Sequence, residues 1–474
     1  MSEVERLSSL DAGFLQIESD TQQMHVGSLL IFEGPPPEYA DFCAHLASCL
    51  DSVPRYRQRV QRMPLDLARP IWVDDPHFSL GYHLRHTAVP APGGDEQLRT
   101  LVGRIMSQRL DIDRPLWETW LVEGLPDGRW ALITKTHHAM IDGLAGRELM
   151  EIVLDRDPGQ PRPAAGEWSP RPGPSRRGLA TSGASWLARL PWELGRAAGS
   201  AARTLREPSE LLRAGAVRAA GLAEVGRRAA SPTSVLNGPL GPHRRWSWVS
   251  GELSAVKAVK DAAGCTVNDV VLAAIAGGFR QYLLERGEPV DELVVRSLVP
   301  VSIRTDEHRG RLGNQVTAMF AELPVGIADP AQRLAAVTRQ MGHLKSGGMA
   351  IGVESMVSAA DFVPATLMTL SARVYVKVGQ RVVNTVTTNI PGPQYPLYLL
   401  GRRMLEMFPY IPVAQGVRIS IGIVSYDGQL GIGATGDYDA VPDLEVLCRA
   451  IETSLQELVS AFVPPAPAAT DEAR

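Results

Sequence analysis

The sequence predicts an α/β protein built in two halves, and three observations carry that prediction. Segments with helical spacing of apolar residues alternate with segments of strand spacing over residues 7–155 and again over 244–462, the order of elements an α/β domain shows. Between them, residues 158–242 are dominated by Pro, Gly, Ala, Ser and Arg, the composition of an inter-domain connection. The 474 residues, 45% hydrophobic and 21% charged, are enough for two sizeable cores and exclude disorder of the whole.

In the first half, Leu10, Phe14 and Ile17 share a helical face, and a strand over 24–32 follows until Pro35, Pro36 and Pro37 stop it. A helix is expected over 39–50, extended segments around 71–73 and 82–89, and a helix over 95–109. Residues 113–125, DRPLWETWLVEGL, lead to Pro126, Asp127 and Gly128, a turn that makes a hairpin with the next strand. In that strand Trp130, Leu132 and Thr134 alternate with Ala131, Ile133 and Lys135, and beyond Gly143 the positions Leu149, Ile152 and Val153 recur at helical spacing. His137, His138 and Asp142 therefore fall on a strand-to-helix connection.

That connection is where chemistry is expected. Imidazole, with an unperturbed pKa of roughly 6.5, takes and returns a proton near neutral pH within one cycle. Asp142, four residues on, is within reach of the histidines, and Gly143 and Gly146 leave no side chain to block an approaching substrate. The same residues also fit two structural histidines, half of a metal site, or an Asp142 that merely caps the following helix. His25, with no partner group nearby in sequence, reads as a packed strand histidine.

The second half opens with a strand from Arg244 containing WSWVSGEL and a helix over 254–263. Thr266, Val267, Asn268 and Asp269 begin the next helix, whose face runs through Val271, Leu272, Ile275 and Phe279, with Asn268 expected to serve at least in part as its cap. A strand over 293–304 ends in PVSIR, making Arg304 a candidate guanidinium partner for a carboxylate. A strand in LGNQVTAMFAELPVG, helices over 330–345 and 354–378, a strand into the turn at Pro391, Gly392 and Pro393, a hairpin through Asp427 and Gly428, and a helix over 443–462 complete the chain.

Composition narrows the partners. A net charge of −4 gives no reason to expect nucleic acid. Cys43, Cys49, Cys265 and Cys448 have neither zinc spacing nor the density of a disulfide framework, so a reducing cytoplasm suits them. MSEVERLSSLD is acidic where a signal peptide is basic, and no apolar run reaches the ~18 residues of a spanning helix. The expectation is a cytoplasmic protein that at most touches a membrane. The stretch 158–242 is locally basic, and Trp186, Leu187, Leu190, Trp192 and Leu194 give it an amphipathic character suited to an anionic lipid surface, or to a linker helix that packs its alanines on one domain.

HHAMIDG fits HHxxxDG, the active-site motif of the acyl-CoA-dependent acyltransferase superfamily, which includes chloramphenicol acetyltransferase and peptide-synthetase condensation domains. LSSLDAGFLQIESDTQQMHVGSLLIFEG at the start, Pro115-Leu116-Trp117, Asn268-Asp269, the segment NTVTTNIPGPQYPLYL and the Tyr-Asp-Gly hairpin then occur in order. Together they resemble the bacterial wax ester synthase/diacylglycerol acyltransferase family over nearly the full length apart from the linker. The resemblance implies a two-domain fold like chloramphenicol acetyltransferase, mixed sheets with helices and a channel between the halves. It divides the chain into an N-terminal half (1–157), a basic linker (158–242), a C-terminal half (243–463) and a disordered tail (464–474).

It also implies a reaction: acyl transfer from acyl-CoA, the donor substrate, to diacylglycerol or a fatty alcohol at the inner membrane face or a lipid body. His138 would be the general base, His137 would orient or pack, and Asp142 would hold the loop through a salt bridge. Gly143, Pro115, Leu116, Trp117, Asn268, Asp269, Thr388 and Asn389 would line the substrate site, the oxyanion donor being sought near Asn268, Thr388 and Asn389. No cofactor or metal is expected, since a thioester is already activated. A condensation-type enzyme using a carrier-protein donor and a noncatalytic lipid-droplet protein are the alternatives.

Overall fold

The computed structural model describes residues 5–63, 69–140, 150–160, 165–174, 235–291, 293–302, 316–346 and 383–463. The expectations for Asp142, Gly143, Arg304, the helix over 354–378, the tryptophans and most arginines of the linker, and the tail lie outside these residues.

The first half runs α1 (Ser9–Ile17), β1 (His25–Phe32), α2 (Tyr39–Cys49), β2 (Gln58–Gln61), β3 (Ile71–Asp74), α3 (Leu80–His83), β4 (Leu84–Ala88), α4 (Asp95–Ser107), β5 (Trp117–Glu123) and β6 (Trp130–His137). The second runs β7 (Arg244–Glu252), α5 (Leu253–Ala263), α6 (Val267–Leu284), β8 (Val295–Ser302), β9 (Val316–Leu323), α7 (Pro330–Ser346), β10 (Thr385–Pro391), β11 (Tyr398–Leu399), β12 (Arg402–Tyr410), β13 (Ile419–Tyr426), β14 (Gln429–Asp437) and α8 (Leu444–Phe462). The mixed α/β architecture is the expected one. One local difference is that 80–83 form a turn of helix before β4, where an extended segment was expected from 82. The His83 ring stacks on Trp117 and its Nδ1 is 2.8 Å from the Trp117 carbonyl oxygen, which fixes the bend.

Among the described residues two six-stranded sheets form the body, in the orders β11-β12-β1-β6-β5-β4 and β7-β14-β13-β10-β8-β9, with β2 and β3 pairing apart from them. Both are mixed: β4 is parallel to β5 and β10 is parallel to β8 and β13, while β1, β5 and β12 join their sheet in antiparallel pairings. In the first sheet alternate residues of β6 serve opposite faces. Trp130 and Leu132 pack with Phe42 and Leu46 of α2, whereas Ala131 and Ile133 pack with Leu98, Leu101 and Ile105 of α4. In the second sheet the core helix is α6, buried almost all round between sheet and helices, as its unbroken run of Val, Leu, Ala and Ile dictates.

Sheet membership crosses the midpoint of the chain. Strands β11 and β12, late in sequence, sit in the first sheet, β12 paired with β1 from Gly27 opposite Tyr410 to Phe32 opposite Met404. Strand β12 also packs across β14, so closely that a Cβ at Gly433 would overlap the Pro409 carbonyl oxygen. Arg244 reinforces the junction, its Nη2 donating to the Thr21 carbonyl and its Nη1 to the Gly241 carbonyl at 2.7 Å. Among the described residues no single helix is long and apolar enough to cross a membrane.

Candidate active site

The histidine turn is made by long-range pairing. Strand β6 ends at His137, directly opposite His25 of β1, and both imidazoles are buried, their centroids 6.1 Å apart in an edge-on arrangement. Three main-chain bonds then hold the exit: His137 N–H donates to Leu116 O at 2.9 Å, His138 N–H to Met24 O at 2.8 Å, and Met140 N–H to His137 O at 2.9 Å. His138 leaves the strand and lies against Phe14 of α1, rings stacked at 4.0 Å and 23°. Unlike His137, which is 1% exposed, His138 is only half-buried.

Around His137 the surroundings are charged. Nε2 is 3.6 Å from Oε1 of Glu18, the residue that closes α1. Burial alone would raise the Glu18 carboxyl, but the neighbouring His137, with His25 and Arg109 beside it, holds it down at about 2. Arg109 Nη2 completes the pair at 3.1 Å. His25 is pushed well below its ordinary value, by burial first and by Lys135 second. Lys135 is itself lowered to about 8 by burial, and its Nζ donates to the carbonyls of Ile105 at 3.0 Å and Gln108 at 2.5 Å, capping the end of α4. His25 is thus the packed strand histidine the sequence suggested.

The Pro115-Leu116-Trp117 segment stands immediately beside the turn. Leu116 supplies the carbonyl that takes the His137 N–H, and its side chain is buried with Leu7 and Ala12. Trp117 is 3% exposed, its indole N–H donating to Tyr56 O at 2.8 Å and its ring in the core with Leu121 and Trp130.

A second group lies on the other sheet. Asn389 of β10 donates from Nδ2 to Asn268 Oδ1 at 3.4 Å, bringing together two residues 121 apart in sequence. Asn268 is not the cap of α6. Thr266 is, in a reciprocal box in which its Oγ1 accepts the Asp269 N–H at 3.2 Å and Asp269 Oδ2 accepts the Thr266 N–H at 3.0 Å. Because the hydroxyl already takes the first orphan donor, Asn268 is left on the first turn with its amide turned to β10. Asp269 is buried in that cap, and the neighbouring Thr388 Oγ1 is buried without a hydrogen-bond partner among the described residues.

The structure therefore gathers His137, His138 and Leu116 at one corner and Asn268, Asn389 and Asp269 at another. Glu18, Phe14 and Lys135 were not singled out from sequence. Phe14 was legible only as an apolar helix position, and nothing local links Glu18 to His137, 119 positions away, before the register of β1 with β6 is known. Among the described residues no three His, Cys, Asp or Glu converge as a metal site requires.

Comparison with known proteins assigns the chain. Residues 7–271 match the wax ester synthase/diacylglycerol acyltransferase catalytic domain, and residues 312–459 match the C-terminal domain of the same family. A Mycobacterium tuberculosis protein carrying the name probable diacylglycerol O-acyltransferase tgs1 is 37% identical over 96% of each chain. The solved wax ester synthase/diacylglycerol acyltransferase of Marinobacter aquaeolei VT8 superposes with a TM-score of 0.68 at 26% identity, covering 97% of this chain and 99% of that one. The first condensation domain of the CDA synthetase, at 16% identity and a TM-score of 0.58 over 97% of both chains, shares the fold. With both of its domains matched in order, the chain belongs to the wax ester synthase/diacylglycerol acyltransferase family of acyltransferases.

Proposed function

We propose that this acyltransferase moves a long-chain acyl group from acyl-CoA to the hydroxyl of diacylglycerol, giving triacylglycerol, or of a fatty alcohol, giving a wax ester, with His138 as general base. The observation that carries the reading is the placement of His138: it is the half-buried histidine of the pair, just past the end of β6, its backbone tied to Met24 and its ring set flat on Phe14. A base held this way takes the acceptor's hydroxyl proton as the oxygen bonds to the thioester carbon. It then gives that proton to CoA sulfur as the C–S bond breaks. No acyl-enzyme is needed. The anionic oxygen of the tetrahedral intermediate calls for a preorganised donor, and the Asn389 amide is the group we assign to it. Asp142, at the position the family motif reserves for a loop-holding carboxylate, keeps that role, and no cofactor takes part.

Purified protein given palmitoyl-CoA with diacylglycerol, hexadecanol or a fatty amine in separate reactions should release CoA and form ester with one or both alcohols. Turnover only with a carrier-protein thioester, freeing the carrier's own thiol and no CoA, would replace this reading with the condensation-type one. Because the acceptors reside in lipid, the basic stretch 158–242 is the segment we assign to contact with an anionic membrane or lipid-body surface. Co-sedimentation with anionic liposomes that does not weaken as salt rises would remove that assignment.

A further inference from the structure

We propose that Glu18 is a positioning residue for the reaction: its carboxylate faces the Nε2–H of His137 and, through His137 and Met24, fixes the turn that presents His138. The inference rests on His138 being the base. Ala139 N–H donates to His137 Nδ1 at 3.0 Å, so Nδ1 holds the lone pair and the ring proton sits on Nε2, the nitrogen 3.6 Å from Glu18 Oε1. The same Oε1 accepts the Met24 N–H at 3.4 Å, and the Met24 carbonyl in turn accepts the His138 N–H at 2.8 Å. One buried carboxylate oxygen, on a side chain 6% exposed, thus bears on both sides of the turn.

Helix α1 does two things at once. Phe14 gives His138 its stacking face, and one turn later Glu18 stands opposite the Nε2–H that the Ala139 bond leaves on His137. The charged and titratable groups facing Glu18 are His25 from β1, Lys135 and His137 from β6, and Arg109 beyond α4, with Asp20 on the far side of Arg109 at 3.0 Å. With cations on several sides, the carboxylate stays ionised, and the Ala139 N–H holds the His137 ring in one orientation towards it.

The ring nitrogens of His137 can be read by 15N NMR, the signal being assigned by its loss in His137→Asn. In the parent, Nε2 is expected to be protonated and Nδ1 not; the opposite assignment overturns the proposal without any variant. Glu18→Leu loses the acceptor of the Met24 N–H and loosens the turn that keeps Ala139 N–H on Nδ1, so it should give a mixed tautomer and a kcat lower by about tenfold, with KM for acyl-CoA within about twofold. Glu18→Gln, which retains an acceptor, should restore the parent tautomer and most of kcat. A folded Glu18→Leu enzyme with the parent tautomer and parent kcat also overturns it. Measuring His138→Ala alongside separates the two ideas, since a fully active His138→Ala protein removes the base but leaves the Glu18–His137 tautomer as it was.

Discussion

The histidine turn and the asparagine corner are built on opposite physical terms. The first is charged and assembled by tertiary pairing: β1 against β6, α1 against the turn, and a buried Glu18 amid His25, Lys135, His137 and Arg109. The second is neutral where Asn268 meets Asn389, and it is anchored by a local device, the Thr266–Asp269 capping box. On the proposed mechanism the contrast is a division of labour: the half-buried imidazole of the first corner would carry the proton, and the amides of the second would stabilise an oxyanion whose charge they need not titrate against.

The largest effects should fall on that division. His138→Ala should lower kcat by roughly 100-fold or more with the fold intact, because positioned bases contribute about 10² to 10⁴. His137→Ala should cost less. Asn389→Ala should also lower kcat by about 100-fold, as loss of one oxyanion donor does, but the pH dependence of the remaining activity should match the parent. If the pH profile of Asn389→Ala changes and that of His138→Ala does not, the assignments are the wrong way round.

Next comes a test of whether the two corners depend on each other. They belong to different sheets that meet where β12 crosses β14 at Gly433. Gly433→Ala drives a methyl into the Pro409 carbonyl, which already accepts the Trp246 indole N–H at 3.3 Å. Overpacking of this kind costs about 1 to 3 kcal/mol, read as a lower denaturation midpoint. Activity should fall with it if catalysis needs both corners in register; a destabilised variant with parent kcat would show that the histidine turn works alone.

How much of this was legible in the sequence follows the same contrast. The HHAMIDG string, the strand before it and the hairpin at Asp427-Gly428 could be read because periodicity, turn chemistry and motif are local, and Asp427 and Gly428 do adopt the positive φ (42° and 81°) that such a turn requires. The cap of α6 was misassigned by two positions, since Thr266 and Asn268 are both competent cap residues and only the reciprocal bonds decide between them. Glu18 and the transfer of β12 into the first sheet were not legible at all. Both depend on strand register between segments more than a hundred residues apart, which no local pattern encodes.

The smallest predicted effects separate the corners by pH. Thr266→Ala removes the acceptor for the Asp269 N–H and should cost about 1 kcal/mol, a loss that above pH 5 does not change with pH. Glu18 behaves differently. Its folded pKa, about 2, lies below its ordinary 4.5, so the unfolded chain binds the proton first as pH falls, and the stability Glu18 contributes is fully present above pH 4.5 and lost towards pH 2. Glu18→Gln, which cannot ionise, should therefore lie below the parent above pH 4.5 and converge on it towards pH 2. Urea midpoints measured from pH 6 to pH 2.5 check both. Parallel curves for parent and Glu18→Gln across that range would mean that Glu18 carries no depressed pKa, and the charged character ascribed to the histidine turn would have to come from Lys135 and Arg109 alone.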